Sequence, residues 1–259
     1  MGGVFPHSLP MPFTLSHPAA ILPFPRLFRD RLPLAALVAG SVSPDLGYYF
    51  GITRYLRENA HTVPRSFTFC VPVSLVLLLL LYLVRHGMAK LLPASLSAVY
   101  RELFARPLFA PRALPFTLLA LLFGSWTHIL WDSFTHYDGT FVAQLPVLRT
   151  KILPGLELYR IGQHLSTVLG ALAIFLFLRA ASSRLGAPFH WKPTWRMGFW
   201  AALAAIAAIF TAFTLTTPWN YALANQDHRL WFLFIVSCGR NAFLLTLATS
   251  AAVSWKAEP

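Results

Sequence analysis

The sequence predicts an all-α fold: a polytopic integral membrane helical bundle of about five transmembrane helices, preceded by a short helical hairpin. Three observations carry that expectation. Of 259 residues, 56% are hydrophobic and only 12% charged, a balance that places the chain among membrane proteins. The apolar residues are gathered into runs long enough to cross ~30 Å of hydrocarbon. The basic residues behind the formal net charge of +12 sit mostly in loops between those runs, where membrane flanks face anionic headgroups. The lipid bilayer is therefore the expected partner. No nucleic-acid motif accompanies the charge, so no nucleic acid is expected.

Taken in order, Met1 to Pro10 has neither a basic n-region nor an apolar h-region and is not expected to act as a secretory signal. Rich in Gly and Pro, this stretch 1–10 is expected to be disordered, with Met11 an alternative start. Residues 11–259 should form a single membrane-embedded helical domain without internal repeats. Ser16-His-Pro18 reads as a helix opening, with Ser as N-cap and Pro in the first turn. That helix should run to about Phe28, kinked or broken by Pro23 and Pro25. Arg29-Asp-Arg-Leu-Pro33 reads as a turn, and a second short helix runs from Pro33 towards Val42. Each piece is about a dozen residues, ~18 Å, too short to span. The pair is expected to dip into or lie along one leaflet, its broken backbone covered by protein or water.

The expected spans are Phe67 to Val84, Leu114 to about Thr135, Ile161 to Leu178, Gly198 to Thr217 and Leu230 to Ser254. Pro93 to Pro115 is a basic linker with a short helix around Ser95 to Phe104, and Tyr137 to Arg160 is the longest loop on the opposite side. Arg184 to Arg196 carries Trp191 and Trp195, suited to an interfacial aromatic belt. Cys70 and Cys238 fall in spans without C-x-x-C spacing and read as buried free thiols.

The second span ends in Ser125-Trp-Thr-His-Ile-Leu-Trp-Asp-Ser-Phe-Thr-His136. Four-residue spacing puts His128, Asp132 and His136 almost in line on one helix face. Imidazole and carboxylate are the ligands that hold zinc and similar divalent metals, and burying them is costly unless they are paired or ligated. The bland alternative is a helix-helix hydrogen-bonding seam, since Gly124, Ser125 and Thr135 continue the face. Topology adds weight to the metal. If the amino-terminal hairpin does not cross, His17, Asp45 and His61 enter from the face where this stripe ends, and His164 opens the third span there. Asp227 and His228 precede the fifth span on that face. His86 and His190 fall on the other.

Each residue has its own alternative: Asp45 as a turn residue, His17 as an interfacial histidine, His61 as a membrane flank, His164 as an interhelical hydrogen bonder. The expected inner ligands are His128, Asp132 and His61, with Asp45, His17 and His136 completing one or two metal sites and a spare carboxylate, Asp45 or Asp132, acting as base. Arg240, mid-span beside Asn241, is either an anion-binding guanidinium or a structural pair. Arg65, at the membrane boundary near His61, is a second candidate for binding an anionic substrate group.

Met11-Pro-Phe-Thr-Leu-Ser-His-Pro18, Gly40-Ser-Val-Ser-Pro-Asp45, His61-Thr-Val-Pro-Arg-Ser66, Thr127 to His136 and Tyr159 to Gly170 resemble the bacterial membrane family named domain of unknown function 4184. The resemblance covers nearly the whole chain from Met11 and implies a polytopic inner-membrane protein without an assigned activity. More distantly, the order of His17, Asp45, His61, His128 and Asp132 is similar to that of membrane-bound metal-dependent hydrolases and zinc-dependent phospholipases C. His136 and His164 resemble the later histidines of that pattern. Val168 stands where the phospholipase pattern has a glutamate, so the similarity gives no third metal.

Together these readings point to a membrane-bound, metal-dependent hydrolase of a phosphoester or lipid-like substrate, with one or two divalent ions, zinc first among them. The competing readings are a non-catalytic metal transporter and a structural protein whose polar residues lock helices together. If Arg26, Arg29 and Arg31 at the hairpin tip reach the far interface, that side is the more basic and the site faces outward.

Overall fold

The structure, a computed structural model, describes residues 14–50, 60–189, 194–215 and 230–255. The hairpin comes first. Its descending limb is a 3₁₀ helix, Thr14–Ile21, followed by α1 (Phe24–Leu27). Its ascending limb is α2 (Leu34–Val42), which passes through a 3₁₀ turn at Ser43–Asp45 into α3 (Leu46–Tyr49). Ser16 is not an N-cap, as the sequence suggested, but lies inside the 3₁₀ helix with His17 and Pro18. Pro18 removes a backbone donor within that segment, and short, tight 3₁₀ winding is the form such a segment takes. The tip reverses through Arg29 and Asp30 at φ 51° and 56°. Both lie in the left-handed region, uncommon for residues other than Gly.

Next comes α4 (Val63–Leu83), which starts earlier than the apolar run because Pro64 pre-organises its first turn. Ser66–Cys70 within it winds as a π-helix, ending just before Pro72, whose missing N–H disfavours the regular ladder. Then follow α5 (Arg85–Leu91), α6 (Ala94–Leu103), α7 (Leu114–Thr135) and α8 (Thr140–Gln144). After these come α9 (Leu158–Arg184), α10 (Trp195–Leu215) and α11 (Leu230–Trp255). Among the described residues five helices, namely α4, α7, α9, α10 and α11, are long and apolar enough to cross a membrane. The expected all-α bundle is what forms. One departure is a two-stranded antiparallel hairpin, β1 (Lys151–Leu153) with β2 (Leu156–Glu157), in the loop after α7. Gly155, at φ 77°, makes its turn.

The amino-terminal hairpin is the centre of the bundle. Ala35, Ala36, Leu37, Ala39, Gly40 and Ser41 of α2 are all buried, and Ile21, Leu32, Leu37, Leu78, Leu108 and Leu121 form one core around it. Interrupted backbone at membrane depth survives only with such protein cover. The contact between α2 and α7 is very close: a Cβ on Gly40 would overlap the Leu121 carbonyl, and one on Gly124 the Leu37 carbonyl. The hairpin also goes deeper than a one-leaflet dip. Arg106 Nη1, in the linker before α7, donates to the Asp30 carbonyl at 2.6 Å, and Arg26 lines a cavity with Arg184 at the end of α9. Because both limbs return from this tip, the other ends, with His17 and Asp45, stay together near the last turns of α7.

Candidate metal centre

Four chain segments deliver side chains to one point. His17 comes from the 3₁₀ helix, Asp45 from the 3₁₀ turn after α2, and His61 from the turn before α4. His128 and Asp132 come from the inward face of α7, with His136 at its C-terminal cap. The i, i+4 spacing predicted alignment along α7; the Gly40/Gly124 crossing brings the hairpin to it. Cys70 Sγ donates to the Ala60 carbonyl at 3.4 Å, and Trp126 Nε1 to Ser66 Oγ at 2.9 Å. These two bonds tie the His61 turn and the start of α4 to their neighbours.

The distances sort around the Asp132 carboxylate. On one side Oδ2 lies 3.0 Å from His128 Nε2 and 3.3 Å from His61 Nε2. Asp45 Oδ1 approaches the same two nitrogens at 3.7 and 3.3 Å. On the other side Asp132 Oδ1 lies 3.5 Å from His17 Nε2 and 3.3 Å from His136 Nδ1. One donor atom each from Asp45, His61, His128 and Asp132 falls within 4.8 Å of the others, a group able to hold a metal ion. The His17 and His128 rings stack with centroids 3.8 Å apart.

These groups are near one another without satisfying one another. Both ring nitrogens of His17, Nε2 of His61, His128 and His136, and Oδ1 of Asp132 are buried, with no hydrogen-bond partner among the described residues. Orphaned buried polar atoms carry a penalty of ~1–3 kcal/mol each, so several at one point call for a ligand. His128 is prepared for one. Its Nδ1 lies 2.7 Å from the Ser41 carbonyl, which can only accept, so Nδ1 carries a proton and Nε2 is the nitrogen turned to the carboxylates, the one a metal would take. His61 and His136 side chains keep 23% and 17% of their exposure, while His17, Asp45, His128 and Asp132 are sealed. Entry is therefore along the His61–His136 side.

The two histidines outside the spans shift in opposite directions. Burial, then the charge of His128, lowers His17 to about 4. Burial opposes charge on His61 as well, but the carboxylates of Asp132 and Asp45 outweigh it and raise His61 to about 10. Burial alone would raise Asp45; His128 and His61 together bring it below its ordinary value.

His164 lies exposed on α9, and among the described residues it makes none of the ion pairs of this group. Arg65 is half-buried in the first turn of α4, four positions after His61. Arg240 is half-buried on α11, with Nε 3.5 Å from Asn241 Oδ1, and takes no part in the contacts around Asp132. Asp227, His228, His190, Trp191 and Met1 to Pro10 lie outside the described residues. The Ser41 carbonyl and the close approach at Gly40 have no counterpart in the sequence expectations, which put a short helix from Pro33 towards Val42 and a ligand or turn residue at Asp45; Gly40 is the available signal.

A family model described as Domain of unknown function (DUF4184) matches residues 11–251. No curated protein and no solved structure matches the chain.

Proposed function

The chain belongs to that family, and we propose that it is an integral membrane, metal-dependent hydrolase of a phosphoester or lipid-like substrate. The observation that carries this reading is the pair of histidine sets divided between the two oxygens of one buried carboxylate. A hydrogen-bonding seam would leave its members satisfied, and this group leaves six nitrogen and oxygen atoms without partners among the described residues. The donor set of imidazoles and carboxylates suits zinc. His61, His128, Asp45 and Asp132 would hold one ion; His17, His136 and the second Asp132 oxygen would offer ligands to another. Such ions supply Lewis acidity and make water a nucleophile near neutral pH.

The chain's own residues do the rest. Asp132 spaces the two histidine sets, and the Ser41 carbonyl, by holding the Nδ1 proton, would leave His128 Nε2 as the ligand atom. Of the two carboxylates, whichever is spared from ligation, Asp45 or Asp132, would act as the base that takes up the proton hydrolysis releases. Arg65, four positions after His61 in the first turn of α4, would meet an anionic group of the substrate. Arg240 is the weaker candidate for that role, given its place on α11.

We further assign the protein to the cell membrane, in a bacterium the inner membrane, with the metal face outward. The hairpin tip adds Arg26, Arg29 and Arg31 to Arg106, Arg112 and Arg184 at one end of the bundle, and positive charge favours the cytoplasmic side. The experiment is elemental analysis of purified protein, followed by phosphodiester and phospholipid turnover in proteoliposomes. The expected result is about one to two zinc ions per chain and turnover that disappears in Asp132→Asn. Bound metal with transmembrane flux and no turnover would replace the hydrolase with a transporter.

A further inference from the structure

At the end of the bundle opposite the metal group lies a cavity of about 910 Å³. It is bounded by the hairpin tip, the end of α6 with its following linker, and the C-terminal end of α9. Its walls are mainly apolar: Leu22, Leu27, Leu103, Leu108 and Phe177 contribute, and Leu27 is 72% exposed. Three arginines from three separate segments stand at it: Arg26, Arg106 and Arg184. All three are exposed. Asp30 and Glu102 also line it, yet among the described residues no ion pair joins either to these arginines. Arg106 instead donates to the Asp30 backbone carbonyl, which holds its guanidinium at the rim while leaving its charge unneutralised.

We propose that this cavity is a binding site for an anionic phospholipid from the bilayer: phosphate at Arg26, Arg106 and Arg184, acyl chain along the leucines and Phe177. Three features commit it to a lipid. The guanidinium fork matches phosphate geometry. The apolar wall runs on from the arginines over the hairpin tip, the end of α6 and Phe177 of the long apolar helix α9, so a water-soluble phosphate would leave that wall uncovered. Finally, the site sits at the more basic end of the bundle, the leaflet where basic pockets between helices meet anionic headgroups. Bound there, the lipid would clamp the hairpin tip to α9, and the hairpin is the element that carries His17 and Asp45.

The test is native mass spectrometry of full-length protein exchanged into micelles containing phosphatidylglycerol or phosphatidylcholine. Wild type is expected to keep at least one phosphatidylglycerol through activation that strips phosphatidylcholine, and millimolar inorganic phosphate should not displace it. In Arg26→Gln/Arg106→Gln/Arg184→Gln, retention should fall on the order of tenfold or more, at ~1 kcal/mol per basic residue near a charged surface. Its size-exclusion profile and helical circular dichroism should match wild type, which shows that the bundle is intact. Arg29→Gln/Arg31→Gln, at the tip but outside the cavity lining, should retain the lipid. Equal retention of the two lipids, undiminished retention in the triple variant, equal loss in the tip control, or displacement by phosphate alone would each overturn the proposal. None of these outcomes depends on whether the metal centre hydrolyses anything.

Discussion

Two polar seams cross the apolar interior of this bundle, and they solve the same problem differently. Between α10 and α11, Asn241 Nδ2 donates to Thr211 Oγ1 at 2.9 Å. Between α5 and α11, the Gly87 N–H donates to Ser254 Oγ at 2.8 Å. Donors there meet acceptors, and the polar atoms lock helices together. Around Asp132, histidine nitrogens approach carboxylate oxygens at 3.0 to 3.7 Å, yet buried nitrogens remain without hydrogen-bond partners among the described residues. Polarity at membrane depth is therefore not by itself a sign of function. Unsatisfied polarity, held in place by close backbone packing, is.

The sharpest way to break this comparison is to remove its central carboxylate. Asp132→Ala should strip the protein of metal, from stoichiometric to near zero by elemental analysis, with the helices still assembled in detergent. If the metal content holds, Asp132 is not the carboxylate around which the metal group is built. Gly124→Leu comes next. It forces α2 from α7, and overpacking of ~1–3 kcal/mol should appear as a lower unfolding temperature together with lost metal. A loss of stability with metal intact would separate the helix crossing from the site.

A third outcome concerns pH in the metal-free protein. His17 titrates at about 4 when folded against an ordinary 6.5, so its contribution is present above about 6.5 and lost as pH falls through 4. His61, raised to about 10, contributes below 6.5 and loses that contribution as pH rises through 10. Chelated protein should therefore be most stable near neutrality, with the acid flank flattened in His17→Gln. An acid flank unchanged in that variant counts against the buried neutral His17. The smallest effect belongs to the satisfied seam: a Thr211→Val/Asn241→Ala double-mutant cycle should give a coupling near ~0.6 kcal/mol, with metal content unmoved.

Much of this was legible along the chain, for reasons that are local. Apolar runs at membrane length fix the five crossing helices, because backbone polar groups in lipid must be satisfied within the segment. The i, i+4 spacing of His128, Asp132 and His136 fixes their common face, since helix geometry is set by neighbours in sequence. Proline at 23, 25 and 33 marks the broken hairpin. The 3₁₀ winding around Pro18, the π-turn before Pro72 and the β-hairpin after α7 were less visible, because short irregular elements depend on what surrounds them.

Tertiary structure alone decided which polar residues meet. The Gly40/Gly124 approach lets the Ser41 carbonyl reach His128, and only that crossing places Asp45 and His17 on opposite sides of Asp132. It left His164 exposed and Arg240 on a different seam, although sequence order grouped His164 with the rest and made Arg240 a candidate substrate ligand. It carried the hairpin tip to Arg106 and Arg184, creating a cavity that no run of residues announces. Spacing along a helix determines what can share a face. What that face meets is set by contacts between segments far apart in the chain.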